Sequence, residues 1–474
     1  MKQLLLVCLF CEGLTVAGQG LLVPPYLQPG NAPTLSKEQK VLIWQTDSIP
    51  GEFKVEFAPG ESMSSAPKVS TAKINAVTLH LGGKTSILYR ASFTGLNFDA
   101  SYAYRVSLGG KTVSEATFMT RTKKPTTRFV VLGDCGSGSP QAKAIAYQMS
   151  QQKPQFVLVT GDNVYSSGLV SEYHSRFFPV YLSPEASPEN GAPLMKTIPF
   201  SLVVGNHDMQ ATDIDKAPGG LAYFYFNDLP TNAPLTEFKV QATGQPETVK
   251  AFEKATGGRY PRLANYSFDY GNVHITCLDA NAYVNPLDAA LVEWMRKDIS
   301  SSKADWKFVT FHQPGFNSSN LHYNYQYMRL LAPLLEELGV DMVLNGHVHN
   351  YQRSVPLRFA PKKNPEGDRY IITPEGKVDG VFTLDEKFDG LTQTKANGII
   401  YIVSGAGGAG LYDTAISNKP DLWKHEPPEN WAPFTVKLVS DIHSFTVMET
   451  DGKKLTLRQL DAQGIVFDEI HVTK

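Results

Sequence analysis

Seven side chains with metal-binding chemistry recur in one context along this chain, each shortly after an apolar run. Phe129-Val130-Val131-Leu132 leads into Gly133-Asp134-Cys135-Gly136, and Phe156-Val157-Leu158-Val159 into Gly161-Asp162-Asn163-Val164-Tyr165. Leu202-Val203-Val204 leads into Gly205-Asn206-His207-Asp208, Phe308-Val309-Thr310-Phe311 into His312, and Met342-Val343-Leu344 into Gly346-His347-Val348-His349. Runs of this kind read as buried strands, and ligands collect beyond the carboxyl ends of strands in α/β sheets. Two carboxylates, an amide, a phenol and three imidazoles are therefore expected to converge on one rim. Carboxylates bind and bridge cations, and neutral imidazoles complete the shells without adding charge. Asp134, Asp162, Asn206, His312, His347 and His349 supply that mixture, which is what a two-metal hydrolase requires.

The rest of the chain supplies the elements that must hold these residues. Its 474 residues are too many for one ordinary core, so two domains are expected. Residues 22–122 read as all-β, with short strands at Val41–Trp44, Phe53–Phe57, Ile87–Phe93, Tyr102–Val106 and Ala116–Met119. Such spacing points to a sandwich with Trp44 as a core anchor. After a linker at Thr120–Thr127, strands alternate with helical patterns at Pro140–Gln152, Leu287–Lys303 and Tyr325–Leu338, the signature of an α/β domain over 127–474. Ser444–Val472 alternates again around Asp451-Gly452, a hairpin expected to close a second sheet. Residues 211–262 and 355–397 are loop-rich inserts directly after ligand motifs, where lids or specificity elements are expected.

Lys2, the apolar Leu4–Phe10 and the small Val16-Ala17-Gly18 read as a cleavable export signal over residues 1–18. That places the protein outside the cell or in the periplasm. The apolar run is too short to span a bilayer. A net charge of −2 gives no basic excess for a nucleic-acid partner. Beyond the leader only Cys135 and Cys277 remain; each lies in or beside an apolar run, and two buried thiols are expected. Gly405-Ala406-Gly407-Gly408-Ala409-Gly410 fits a dinucleotide fingerprint but lacks the following helix and acid, so it reads as a backbone-shaping turn. His80, His174, His274, His425, His443 and His471 stand outside the motif blocks and read as structural or exposed.

The five ordered blocks resemble the metallophosphoesterase superfamily and, through Tyr165, the purple acid phosphatases. The resemblance implies a four-layer α/β (α+β) sandwich of two mixed sheets flanked by helices, preceded by a fibronectin-III-like β-sandwich. It implies an acid phosphatase-type hydrolase of small phosphate monoesters, in which a metal-bound hydroxide attacks phosphorus. A phosphodiesterase, pyrophosphatase or nucleotide hydrolase could use the same site; a non-catalytic extracellular binding protein is the rival from another class. By the same resemblance Asp134, Tyr165 and His349 would hold Fe3+, and Asn206, His312 and His347 a divalent Fe, Zn or Mn. Asp162 would bridge the two. His207 and His322 would contact phosphate and work as acids. Cys135 and Gln352 depart from the family pattern, as does Leu321, where plant-type members often carry a second histidine.

Overall fold

Val41-Leu42-Ile43-Trp44 is apolar at four successive positions, and the fold uses both faces of that strand. The computed structural model describes residues 20–65, 68–319, 321–365, 367, 369–412 and 432–474; the expected leader and His425 lie outside them. Strand Gln39–Thr46 belongs to a four-stranded sheet with Leu21–Gln28, Lys84–Thr94 and Lys73–Leu81. Successive side chains of a strand point to opposite faces. Leu42 and Trp44 enter the sandwich core, while Val41 and Ile43 join the core of the following domain. A second four-stranded sheet covers the first face, and Trp44 stacks on Tyr89 with ring centres 5.2 Å apart. The sandwich is thus fused to its neighbour through one whole sheet face.

The first insert fills that junction. Tyr223–Phe226 forms a buried turn of helix, so these aromatics are core residues. Tyr26 donates its hydroxyl to the Phe226 carbonyl at 2.6 Å, Arg90 donates to the Tyr225 carbonyl, and Arg90 lies 3.6 Å from Asp228. Much of 211–262 is therefore a wedge between domains, in place of the expected lid.

Two mixed sheets build the second domain. In the first, Phe200–Leu202, Phe156–Val159 and Thr126–Leu132 run parallel, and Ser444–Asp451, Lys454–Asp461 and Val466–Thr473 extend it antiparallel. The C-terminal hairpin thus continues the sheet of the first metal-binding motifs, which corrects the expectation of a second sheet. The other, seven-stranded sheet holds Tyr266–Tyr270, Val273–Cys277, Trp306–Thr310, Met342–Asn345, Ile400–Ser404, Tyr351–Ser354 and Thr435–Val439, in that order. The sheets pack face to face: Phe129 and Phe308 rings are 5.9 Å apart, and Ser404 Oγ donates to the Val131 carbonyl at 3.3 Å.

Helices Pro140–Gln151 and Ala289–Ser301 start at Ser139 and Asp288, whose side chains accept from the first free N–H groups. The expected helix Tyr325–Leu338 is instead a 3-10 turn, Tyr327–Leu331, followed by Ala332–Glu337. Pro333 explains the break, since proline suits a helix's first turn and not its interior. Cys135 and Cys277 are buried free thiols, as expected.

His274 gives the domain a pH-dependent clamp. Its Nδ1 lies 2.8 Å from Asp269 Oδ1 and its Nε2 3.1 Å from Asp298 Oδ2, joining a hairpin to helix Ala289–Ser301. Burial opposes its charge, but the two carboxylates outweigh burial and lift it to about 9. A group raised in the folded state stabilises fully below its unfolded value near 6.5, and that stability is lost as pH rises through 9. Denaturant unfolding should lose about 3 kcal/mol between those limits through this group, and His274→Gln should reduce the total loss by that amount.

Candidate metal centre

The candidate ligands approach one another from two sheets. Asp134, Asp162, Tyr165 and Asn206 follow the three parallel strands of the six-stranded sheet, and His312, His347 and His349 follow two strands of the facing sheet. Asp134, Asp162 and His349 each bring a donor atom within 4.8 Å of the others. Tyr165 donates its hydroxyl to Asp134 Oδ1 at 3.0 Å, and His349 Nε2 lies 3.1 Å from the phenol oxygen and 3.3 Å from Asp134 Oδ1. His312 Nε2 approaches Asp162 Oδ1 to 3.2 Å without the alignment of a hydrogen bond.

The backbone is bent to achieve this. Of the six non-glycine residues with positive φ among those described, three are candidate ligands: Asp134 at 57°, Asp162 at 51° and His347 at 68°. Such conformations cost about 1–3 kcal/mol each and persist where the surroundings over-determine them. Crowding does the rest. A Cβ on Gly205 would collide with the Asp162 carboxylate, and one on Gly161 with the His312 ring.

Backbone carbonyls orient the imidazoles. His312 Nδ1 donates to the Thr160 carbonyl at 2.9 Å, His349 Nδ1 to that of Gly410 at 2.6 Å, and His207 Nδ1 to that of Ser166 at 2.6 Å. A proton on Nδ1 leaves a lone pair on Nε2, the tautomer a metal ligand needs. Among the buried side-chain atoms without a hydrogen-bond partner are Asn206 Oδ1, His312 Nε2 and His347 Nε2. Three such acceptors on three neighbouring loops that also carry Asp134 and Asp162 contacts fit a cation. The electrostatics agree. Burial and then Asp134 hold the Tyr165 phenol well above its ordinary value, and only a strong positive charge would ionise it. Burial opposes charge on Asp162, but His312 and then His207 keep its carboxyl below the usual range. Burial also opposes charge on His312, which Asp162 and Asp134 lift to about 9.

Several known proteins are similar to this chain. Residues 127–351 match the family model of the calcineurin-like phosphoesterases. Purple acid phosphatase 17 of Arabidopsis thaliana is 29% identical over 307 residues, covering 58% of this chain and 81% of that protein. Purple acid phosphatase 15 of the same plant is 24% identical over 321 residues, 62% of this chain but only 54% of that protein. The structure of purple acid phosphatase PPD1 from yellow lupin (Lupinus luteus) seeds superposes with a TM-score of 0.61 at 17% identity, over 95% of this chain and 74% of that one. Residues 127–351 form a calcineurin-like phosphoesterase domain, and the chain as a whole is similar to purple acid phosphatases. The family implies a binuclear centre, and the donor set described above fits one.

As a purple acid phosphatase relative, the chain uses further residues that its motifs did not single out. Asp208, fourth in Gly205–Asp208, is buried and accepts from Gly205 N at 2.8 Å, Asn163 N at 3.2 Å and Asn163 Nδ2 at 2.8 Å. It locks the Asn206 turn to the Asp162 turn; burial and then Asp162 raise it to about 7. Glu172 accepts from the N–H groups of Ser166, Ser167 and Leu169 behind Tyr165. Tyr412 stacks on His349 with ring centres 4.3 Å apart. The glycine-rich turn lies against Asp134, with Ala409 N donating to the Asp134 carbonyl at 2.9 Å. Its expected continuation, Asp413 to Pro420, lies outside the described residues. His207 and His322 both border the site: His207 Nε2 is 3.9 Å from Asp162 Oδ2, and the His322 ring is 4.1 Å from that of His347. Burial and then His349 push His322 down to about 4. Gln352 accepts from Ser318 N at 2.7 Å and so braces the loop that leads to His322.

Because Gly205 leaves no room beside Asp162, Gly205→Ala should keep the far-UV circular dichroism of the fold while metal equivalents per chain fall well below wild type.

Proposed function

We propose that the chain is an exported phosphomonoesterase with a ferric–divalent centre. The observation that carries this is the approach of Asp134, Asp162 and His349 donor atoms to within 4.8 Å of one another, beside the Tyr165 phenol and the unpartnered Asn206 Oδ1, His312 Nε2 and His347 Nε2. Asp134, Tyr165 and His349 would hold Fe3+, whose charge suits a phenolate; Asn206, His312 and His347 would hold Fe2+, Zn2+ or Mn2+; Asp162 would bridge them. When bound, such a pair supplies Lewis acidity, acidifies water and offsets charge on phosphoryl oxygens.

The chain's own residues would do the remaining work. His207 commits Nδ1–H to the Ser166 carbonyl, so Nε2 is the atom that can hold a proton for the leaving oxygen. Its side chain is 31% exposed, enough to meet substrate from solvent. His322 would hold phosphate or a second proton beside His347, with its Nε2 3.3 Å from the Tyr412 hydroxyl. Thr160, Gly410 and Asp208 fix the rings and turns before substrate arrives, so little reorganisation is left for the reaction. Export rests on the leader pattern of residues 1–18; among the described residues no helix is long and apolar enough to cross a membrane.

Asp162→Asn should abolish metal pairing and turnover of an aryl phosphate together; retained activity would overturn the bridging role. A general acid typically contributes about 10²–10⁴-fold. His207→Gln should therefore slow alkyl phosphates, which need protonation, by at least about 10²-fold, and p-nitrophenyl phosphate much less. Equal losses on both esters would remove His207 from the acid role.

A further inference from the structure

The loop Leu321–Gln326 sets an aromatic ring at the edge of the metal centre. Tyr325 is 50% exposed and Leu321 42% exposed, on either side of the inward-lying His322. The Tyr325 ring lies 5.8 Å from His322 and 6.0 Å from His347, edge-on to the latter at 89°. Across His322 lies the second ring: Tyr412 is 5.6 Å from His322 and stacks on His349. The imidazoles of the centre are thus flanked by two phenol rings.

This arrangement is held in place by the second insert. Tyr325 N donates to the His322 carbonyl at 3.1 Å, closing a tight turn. Buried Gln326, next in sequence, donates N–H to the Gly376 carbonyl at 3.3 Å and accepts from Val378 N at 3.1 Å through Oε1. Tyr325 is therefore a preset ring whose loop is pinned to residues 376–378. A fixed, half-open aromatic beside a polar centre gains by being covered, and a flat ring covers it best.

We infer that Tyr325, with Tyr412 also beside His322, selects phosphate esters whose leaving oxygen is borne directly on an aromatic ring. This rests on the phosphatase reading and assigns its substrate class. An ester group that leaves the centre past His322 and His347 passes the exposed Tyr325 ring. An alkyl group offers that ring less flat surface, and a nucleoside holds its base several bonds from phosphorus.

The test is the ratio of kcat/KM for phenyl phosphate to that for glycerol phosphate in wild type, Tyr325→Ala and Tyr325→Phe. Calorimetric binding of phenylphosphonate and methylphosphonate to the same metal-loaded proteins gives an independent readout. Tyr325→Ala should lower the phenyl-to-glycerol ratio, and the affinity advantage of phenylphosphonate, by about three- to tenfold each. Tyr325→Phe should restore both to within about twofold of wild type, because the ring and not the hydroxyl makes the contact. A ratio unchanged in Tyr325→Ala overturns the inference. So does an equal loss for adenosine monophosphate, which would mean the ring reads detached bases. If wild type turns over neither ester, yet Tyr325→Ala still loses the phenylphosphonate advantage, the phosphatase reading falls and the aromatic site stands.

Discussion

Asp134 is the joint on which both sheets bear. It ends a strand of the six-stranded sheet, and its N–H donates to the Gly161 carbonyl at 3.1 Å, tying it to the Asp162 turn. Its Oδ2 accepts from His347 N at 2.8 Å, reaching the opposite sheet, and its carbonyl accepts from Ala409 of the glycine-rich turn. Asp134 is completely buried and Asp162 is 1% exposed, with the Tyr165 phenol donating its hydroxyl to Asp134. Such a concentration of buried negative charge is unfavourable unless cations complete it. Positive φ at three candidate ligands and the missing side chains of Gly161 and Gly205 are the local costs of bringing it together.

The surroundings are correspondingly rigid. The two sheets meet through Phe129, Phe308 and Ser404, and the sandwich is fixed to them by a strand whose alternate residues serve two cores. The first insert contributes Tyr223–Phe226 to that junction. The second insert lies on the other side and braces the loop carrying His322 and Tyr325 through Gln326. The two inserts thus have different physical jobs, one joining domains and one shaping the mouth of the site.

Much of the centre was legible in the sequence because metal ligation demands particular side chains directly after strands. Asp134, Asp162, Tyr165, Asn206, His312, His347 and His349 all follow strands, and Asp134, Asp162 and His349 bring donor atoms within 4.8 Å of one another. What could not be read is carried by groups without a side-chain signature. The Thr160 and Gly410 carbonyls orient two imidazoles, and a carbonyl acceptor leaves no mark in sequence. Asp208 stood inside a motif, but its role depends on which N–H groups the turn aims at it. Strand Leu21–Gln28 was hidden by Pro24-Pro25, which sit where its pairing with Gln39–Thr46 shifts register. The four-residue apolar run at Val41–Trp44 was the one available sign of two-sided burial. That the ligands come from two sheets was not legible, since each motif looks the same whichever sheet its strand joins.

The central claim is that buried anions and orphaned imidazoles here exist to hold two metal ions, one of them ferric. Its most direct test is metal analysis of the purified protein with its visible spectrum, beside Tyr165→Phe. The account predicts two metal equivalents per chain, at least one of them iron, and a tyrosinate-to-iron charge-transfer band that disappears in Tyr165→Phe. Absence of stoichiometric metal after expression under varied iron, zinc and manganese supply would contradict it.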